Sequence, residues 1–278
     1  MSYELKELSS KVLVDRFNKV RRHCEQICKN LNSEQYNLQT KLETSPAKWQ
    51  LAHVSWFYEE FILKRLDHYQ VFNDRYSYLF NSYYETIGER QDRDKRSLIS
   101  KPNIEEAYRY RRYIDNAIIE NIDWIVQNQN ILSLFEMGLQ HEQQHTELLL
   151  TDLKYNLYIS NDPDPLFHAP KPYIVTTNKS HEYIKLDEGL YEIGASHQDD
   201  FSFDNERPQH RVFIEAFSIR NNLVTNAEYI EFIESGGYSD FRYWLSEGFD
   251  WIKKHNIQMP LYWRKNSKVR RQSKVVRA

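Results

Sequence analysis

The sequence predicts a protein in two parts, an amino-terminal four-helix bundle followed by an incomplete, irregular α+β domain. Three observations carry this. Only 7 of 278 residues are glycine, which favours a helical majority over extensive sheet and tight turns. Apolar residues recur at helical spacing in four stretches of the first 160 positions. Four prolines then fall between positions 163 and 172, and beyond them the pattern changes to short strand-like runs. A chain of this length fits one large or two medium domains, and 40% apolar residues are enough to fill a core.

Each element has its own signal. Residues 3–32 carry Leu8, Val12, Phe17, Val20, Cys24, Ile27 and Leu31 near helical spacing, which predicts the first helix. Thr44-Ser45-Pro46 predicts a second start, with Ser45 as N-cap and Pro46 at the first helical position, and a helix running to about Tyr69. Residues 70–102, rich in Tyr, Asn, Asp and Arg, read as a long irregular loop. Pro102-Asn103 opens a third helix with Ile104, Tyr108, Arg111, Ile118, Ile122 and Ile125 on or near one face. A fourth is expected from about Ile131 to Tyr158. The boundaries that follow are 1–160 for the helical domain, 161–180 for a proline-rich linker and 181–263 for the second domain. A basic tail spans 264–278. In the second domain YIKL, YEIGA and HRVFIEAFSI read as strands, and Thr225 can N-cap a helix over AEYIEFIES.

Charge and cysteine usage narrow the function classes. The last fifteen residues hold seven Lys/Arg and no acid, so the body is more acidic than the net charge of −3 implies. That argues against nucleic acid as a partner. The amino terminus lacks the apolar stretch of a signal peptide, and no segment reaches 18 apolar residues, so no membrane partner is expected. Cys24 and Cys28 lie one helical turn apart; they read as half-buried small hydrophobes in a reducing cytoplasm, with a metal pair as the alternative.

The chemistry concentrates in His141-Glu142-Gln143-Gln144-His145. Two histidines four apart project from one helix face, a spacing that suits two imidazoles on one ion. His53, in the aromatic segment SPAKWQLAHVSWFYEEFIL, offers a third from another helix. Three neutral imidazoles leave positions on a metal open, as catalytic sites require, and suit zinc, iron, copper or nickel. The string also fits H-E-x-x-H, the zinc-peptidase pattern with Glu142 as base, but no third ligand stands at a matching spacing. Arg90 and Arg93 in the long loop are either solvated or a bidentate clamp for a carboxylate.

Taken together, SPAKWQLAHVSWFYEEFIL, FNSYYETIGERQDRDKRSLISKP and HEQQHTELLLTDLKY resemble the ergothioneine-biosynthesis sulfoxide synthases (EgtB), a non-haem iron family. These segments are similar to its DinB-like helical domain. The stretch from about Glu182 to Trp251 resembles the start of its second domain, of the formylglycine-generating-enzyme (sulfatase-modifying-factor) type. The resemblance spans about residues 36–263. It implies Fe(II) held by His53, His141 and His145. It further implies Gln144 as a contact for the trimethylhistidine substrate hercynine, and Arg90 and Arg93 as the grip on the carboxylates of γ-glutamylcysteine or cysteine. The family uses O2 to join that sulfur to C2 of the hercynine imidazole as a sulfoxide.

The family's catalytic tyrosine lies late in the second domain, and no residue here is matched to it. The sequence is accordingly expected to be truncated in that domain, with 264–278 as the product of a frameshift or premature end. The alternatives are a metal-binding remnant without turnover, and a DinB-like zinc-dependent thiol transferase.

Overall fold

The computed structural model describes residues 3–160, 182–196, 201–265 and 275–277, and divides into two compact units, Met1–Tyr173 and Ile174–Ala278. The expected linker, 161–180, lies outside the described residues.

The first unit is helical. Its elements are α1 (Tyr3–Cys28), α2 (Ala47–Phe61), α3 (Tyr76–Leu79), α4 (Ile104–Glu120), α5 (Ile122–Gln127) and α6 (Gln129–Ile159). Helix α2 is the hub. It packs on α1, α4 and α6, and thirteen of its fifteen residues are buried. This explains the aromatic load of its sequence: Trp49, Trp56, Phe57 and Tyr58 fill the space between the helices, with Phe17 of α1, Tyr110 and Ile114 of α4, and Phe135 and Leu139 of α6. A smaller apolar cluster joins Cys24, Ile27, Cys28 and Leu31 to Leu149, Leu153 and Leu157. Both cysteines are unbridged and buried, and burial pushes their thiols up to about 12, so they are inert packing groups.

Several expectations are corrected. Ser45 does not cap α2. Pro46 holds the cap position, the Ser45 hydroxyl accepts from Arg96 Nη1 at 2.8 Å, and the Ser45 amide donates to Asp152 at 2.9 Å. Helix α2 ends at Phe61 rather than near Tyr69, because the buried carboxylate of Glu59 draws the chain back. It accepts from the Tyr69 hydroxyl at 2.6 Å, the Phe72 amide at 3.1 Å and the Tyr110 hydroxyl at 2.5 Å. Residues 70–102 are not simply irregular. They contain α3 and a 3-10 turn, Arg93–Leu98, and bury Tyr76, Phe80, Asn81 and Arg96. The third helix breaks at Asn121 into α4 and α5, while its start is as expected, with Asn103 Oδ1 accepting from the Glu106 amide at 2.8 Å. On α1, Val12 is exposed and Leu13 takes the core position.

The second unit is built from short antiparallel pairs. Strand β1 (Tyr183–Leu186) pairs with β4 (Phe217–Arg220), β2 (Gly189–Ile193) with β3 (His210–Ile214), and β5 (Trp263–Lys265) with β6 (Val275–Arg277). The last pair falls almost wholly within the basic tail expected from 264 to 278. Thr225 caps α7 (Asn226–Glu234) in a reciprocal box with Glu228, and α8 (Ser246–His255) forms from a run left unassigned by sequence. The whole is helix-rich with a few small sheets. Among the described residues no helix is long and apolar enough to cross a membrane.

Candidate metal centre

The three histidines meet. His53 stands on α2 and His141 and His145 on α6, and their ligand atoms all lie within 4.8 Å of one another. The i,i+4 spacing stacks the α6 pair on the face that meets α2. His53 projects from mid-α2 between the indoles of Trp49 and Trp56, at ring distances of 4.5 and 5.4 Å. Phe57 packs against His141 at 4.7 Å.

Two of the imidazoles are oriented by a bond on the far nitrogen. His53 Nδ1 lies 2.6 Å from the Phe80 carbonyl, so it carries the proton and leaves Nε2 with its lone pair. His145 Nδ1 lies 2.6 Å from Gln50 Oε1, with the same result. The Gln50 amide in turn donates to Asp152 Oδ2 at 3.1 Å. This is the outer layer that metal-ligating histidines ordinarily have. His53 Nε2 and both ring nitrogens of His141 are buried without a hydrogen-bond partner. Buried polar atoms are rarely left so, and a cation would satisfy them. The donor set and the orphaned nitrogens therefore fit a divalent metal.

Electrostatics keep the rings neutral. Burial, then His145 and His141, hold His53 well below its ordinary value; burial, then His141 and the arginines Arg96 and Arg93, do the same for His145. Burial lowers His141 to about 4. Neutral imidazole is the ligating form.

Glu142 points elsewhere. It is fully buried, accepting from Arg111 Nη2 at 2.6 Å and Arg21 Nη1 at 3.0 Å, and Arg21 is also held by Asp115 at 2.6 Å. Burial would raise its pKa, but the two guanidiniums outweigh that and hold it below the usual carboxylate range. A carboxylate committed to two arginines is not free to serve as a general base.

A cavity of about 140 Å³ opens beside the histidines; Arg93, Arg96, Asp152, Gln144 and Tyr83 are among its lining residues. The two arginines expected from sequence therefore separate. Arg93 lines the cavity, whereas Arg90 does not and pairs with Glu85 on an exposed part of the loop. Arg96, which the sequence does not single out, lines the cavity beside Arg93. Its guanidinium stacks 3.3 Å from the Trp49 ring centroid, and its Nε is buried without a partner. Burial, then Arg93, lowers its pKa to about 9. Gln50, Tyr83 and Asp152 were also missed. The spacing of three residues from Arg93 to Arg96, one 3-10 turn, was the available signal for Arg96.

The fold and site define a class: a three-histidine candidate metal centre on a helical unit, followed by a domain of another type. Residues 170–276 match the sulfatase-modifying factor enzyme 1-like domain family. The chain is 26% identical over 226 residues to a hercynine oxygenase of Mycolicibacterium thermoresistibile, covering 79% of this chain and 47% of that protein. It is 27% identical over 231 residues to a hercynine oxygenase of Mycobacterium tuberculosis, covering 81% and 51%. A third hercynine oxygenase, from Mycolicibacterium smegmatis, is 32% identical over 134 residues, or 46% of this chain and 29% of that one. The chain spans about half the length or less of these curated relatives. The resemblance to the ergothioneine-biosynthesis sulfoxide synthase family is borne out by these matches.

Proposed function

We propose that this chain provides the metal-binding part of an Fe(II)- and O2-dependent sulfoxide synthase of the hercynine oxygenase type. The reaction joins the sulfur of γ-glutamylcysteine or cysteine to C2 of the hercynine imidazole. One atom of O2 enters the sulfoxide and the other leaves as water, so O2 accepts the four electrons released on forming the C–S bond and oxidising the sulfur. The observation that carries this reading is the cluster of His53, His141 and His145, with orphaned ring nitrogens at the edge of a cavity walled by arginines.

In this reading His53, His141 and His145 would hold Fe(II), and the ion would supply the activation of O2. The remaining steps belong to the chain's own side chains. Gln50 and the Phe80 carbonyl hold the protons of His145 and His53 on Nδ1, which fixes both rings. Arg93 and Arg96, in place of the expected Arg90–Arg93 pair, hold the carboxylate of the thiol. Gln144 lines the cavity and presents an amide to the hercynine ring. Trp49, Trp56 and Phe57 keep water from the histidines. The helical unit acts as the DinB-like domain, and the protein works in a reducing cytoplasm, in keeping with its buried free cysteines.

The test is metal analysis after anaerobic purification, followed by incubation with Fe(II), O2, hercynine and each thiol, with mass spectrometry of the coupled sulfoxide. His53→Ala should abolish iron loading. Arg93→Ala with Arg96→Ala should weaken thiol binding by about ten- to a hundred-fold, the worth of a charge-assisted pair, and Arg90→Ala should change it little. Undiminished iron in His53→Ala would overturn the assignment of the site.

A further inference from the structure

His145 and His53 are oriented by groups of different kinds. The Phe80 carbonyl holds His53 Nδ1, and a backbone carbonyl cannot become a donor. His145 Nδ1 instead meets the side-chain amide of Gln50, with Oε1 at 2.6 Å. An amide is ambivalent: turned by half a rotation, it puts its NH2 where the oxygen stood, at almost the same shape. With the oxygen on Nδ1 it keeps the proton there and leaves the Nε2 lone pair to ligate. With the NH2 on Nδ1 it favours the other tautomer, whose proton sits on Nε2 and blocks that atom. Gln50 by itself therefore does not settle the tautomer. It is buried, so bulk water does not settle it either.

Asp152 is placed to decide it. Its Oδ2 accepts from the Ser45 amide at 2.9 Å and from Gln50 Nε2 at 3.1 Å. A carboxylate offers acceptors only, so it takes the NH2 end of the amide and turns the oxygen to His145. The positions along the chain make this line possible. Asp152 follows His145 by seven residues on α6, two turns along the same face, and Gln50 precedes His53 by three on α2. The carboxylate, the amide and the imidazole thus stand in a row along the seam between α2 and α6. The Ser45 amide, two residues before α2, anchors the far end of the row. We propose that Asp152 is a positioning residue which, acting through Gln50, selects the ligating tautomer of His145. This rests on the metal-site reading given above and adds to it the group that fixes the direction of the Gln50 amide.

The experiment reads tautomer and metal separately, on the full chain with isotope-labelled histidines. Long-range proton–nitrogen correlation NMR of the metal-free protein distinguishes a proton on Nδ1 from one on Nε2. Fe(II) affinity is then measured anaerobically by competition with a chelator. The parent protein should hold His145 protonated on Nδ1. Asp152→Ala should shift His145 towards the Nε2-protonated form, leave His53 unchanged, and weaken Fe(II) by about ten- to a hundred-fold, the usual scale for losing a partner behind a metal ligand. Adding Gln50→Glu to Asp152→Ala should restore both readouts, since a carboxylate facing Nδ1 can only accept. Gln50→Leu, which leaves Asp152 on Ser45, should release the tautomer as Asp152→Ala does. The proposal is overturned by a parent His145 protonated on Nε2, by an unchanged tautomer in Asp152→Ala, or by a double variant that fails to restore it, which would make Asp152 a structural support only. If the parent protein binds no Fe(II), the metal reading falls, and the tautomers of the metal-free protein still decide the role of Asp152.

Discussion

At the scale of single residues, burial decides what each group does. The histidines are ordinary in type, but removal from water keeps them neutral, and this has a pH consequence. Their folded-state pKa values lie below the ordinary 6.5, so the unfolded chain takes up protons that the folded one refuses. Their contribution to stability is complete above 6.5 and is lost as pH falls through the folded values, about 4 for His141. Metal-free protein should therefore lose a few kcal/mol of stability between pH 6.5 and 4, read as a falling urea midpoint. Glutamine variants of His141 and His145 should flatten that slope. Glu142 makes the opposite case. Its carboxylate is charged and buried because Arg21 and Arg111 satisfy it. Glu142→Ala should cost about 3–5 kcal/mol in urea unfolding, the penalty for leaving buried charge uncompensated. No zinc-dependent peptidase activity should be present in the parent protein to be lost.

At the scale of elements, the approach of α2 to α6 creates the site. Gly138 of α6 faces Tyr58 of α2, and a Cβ at position 138 would lie 2.6 Å from the Tyr58 ring. Tyr58 is fully buried and cannot step aside. In an exposed helix Gly→Ala gains about 1 kcal/mol of helix propensity. Here overpacking, about 1–3 kcal/mol, opposes and outweighs it. Gly138→Ala should lower stability and, by moving α6 from α2, weaken Fe(II) binding, which equilibrium dialysis would measure. Unaltered iron affinity would show that His53 and the α6 pair do not depend on this contact. Helix signals varied in how far they could be read. Asn103 and Thr225 cap as their sequences predict because each side chain reaches an amide three residues ahead. Ser45 has the same local pattern but is claimed by Arg96 and Asp152, two distant groups.

At the scale of the whole molecule, the two units differ in how much apolar surface they remove from water. The helical unit buries its aromatic residues around α2. The second unit leaves large apolar side chains open, including the cross-strand neighbours Leu190 and Phe213, at 67% and 59% exposure, and Leu223 at 90%. Exposed large apolar side chains of this kind bind hydrophobic dyes. The chain should enhance 8-anilinonaphthalene-1-sulfonate fluorescence under native conditions, and Leu190→Thr with Phe213→Thr should reduce the signal. Dye binding unaffected by that double variant would place the open surface elsewhere.

The sequence by itself determined the helical character of the first 160 residues, the change of pattern after the prolines and the i,i+4 histidine pair, because periodicity and short-range spacing are local properties. It also singled out His53, through the family motif around it. Tertiary structure decided the rest. That His53 meets His141 and His145 depends on the packing of α2 against α6 across more than eighty residues of chain. That Arg96 rather than Arg90 joins Arg93 depends on a 3-10 turn folding inward over Trp49. That Gln50 and Asp152 stand behind His145 depends on side chains from two helices meeting end to end. Spacing along the chain records neither the direction in which a loop turns nor which distant polar group will satisfy a buried one, since both follow from the closing of a shared core.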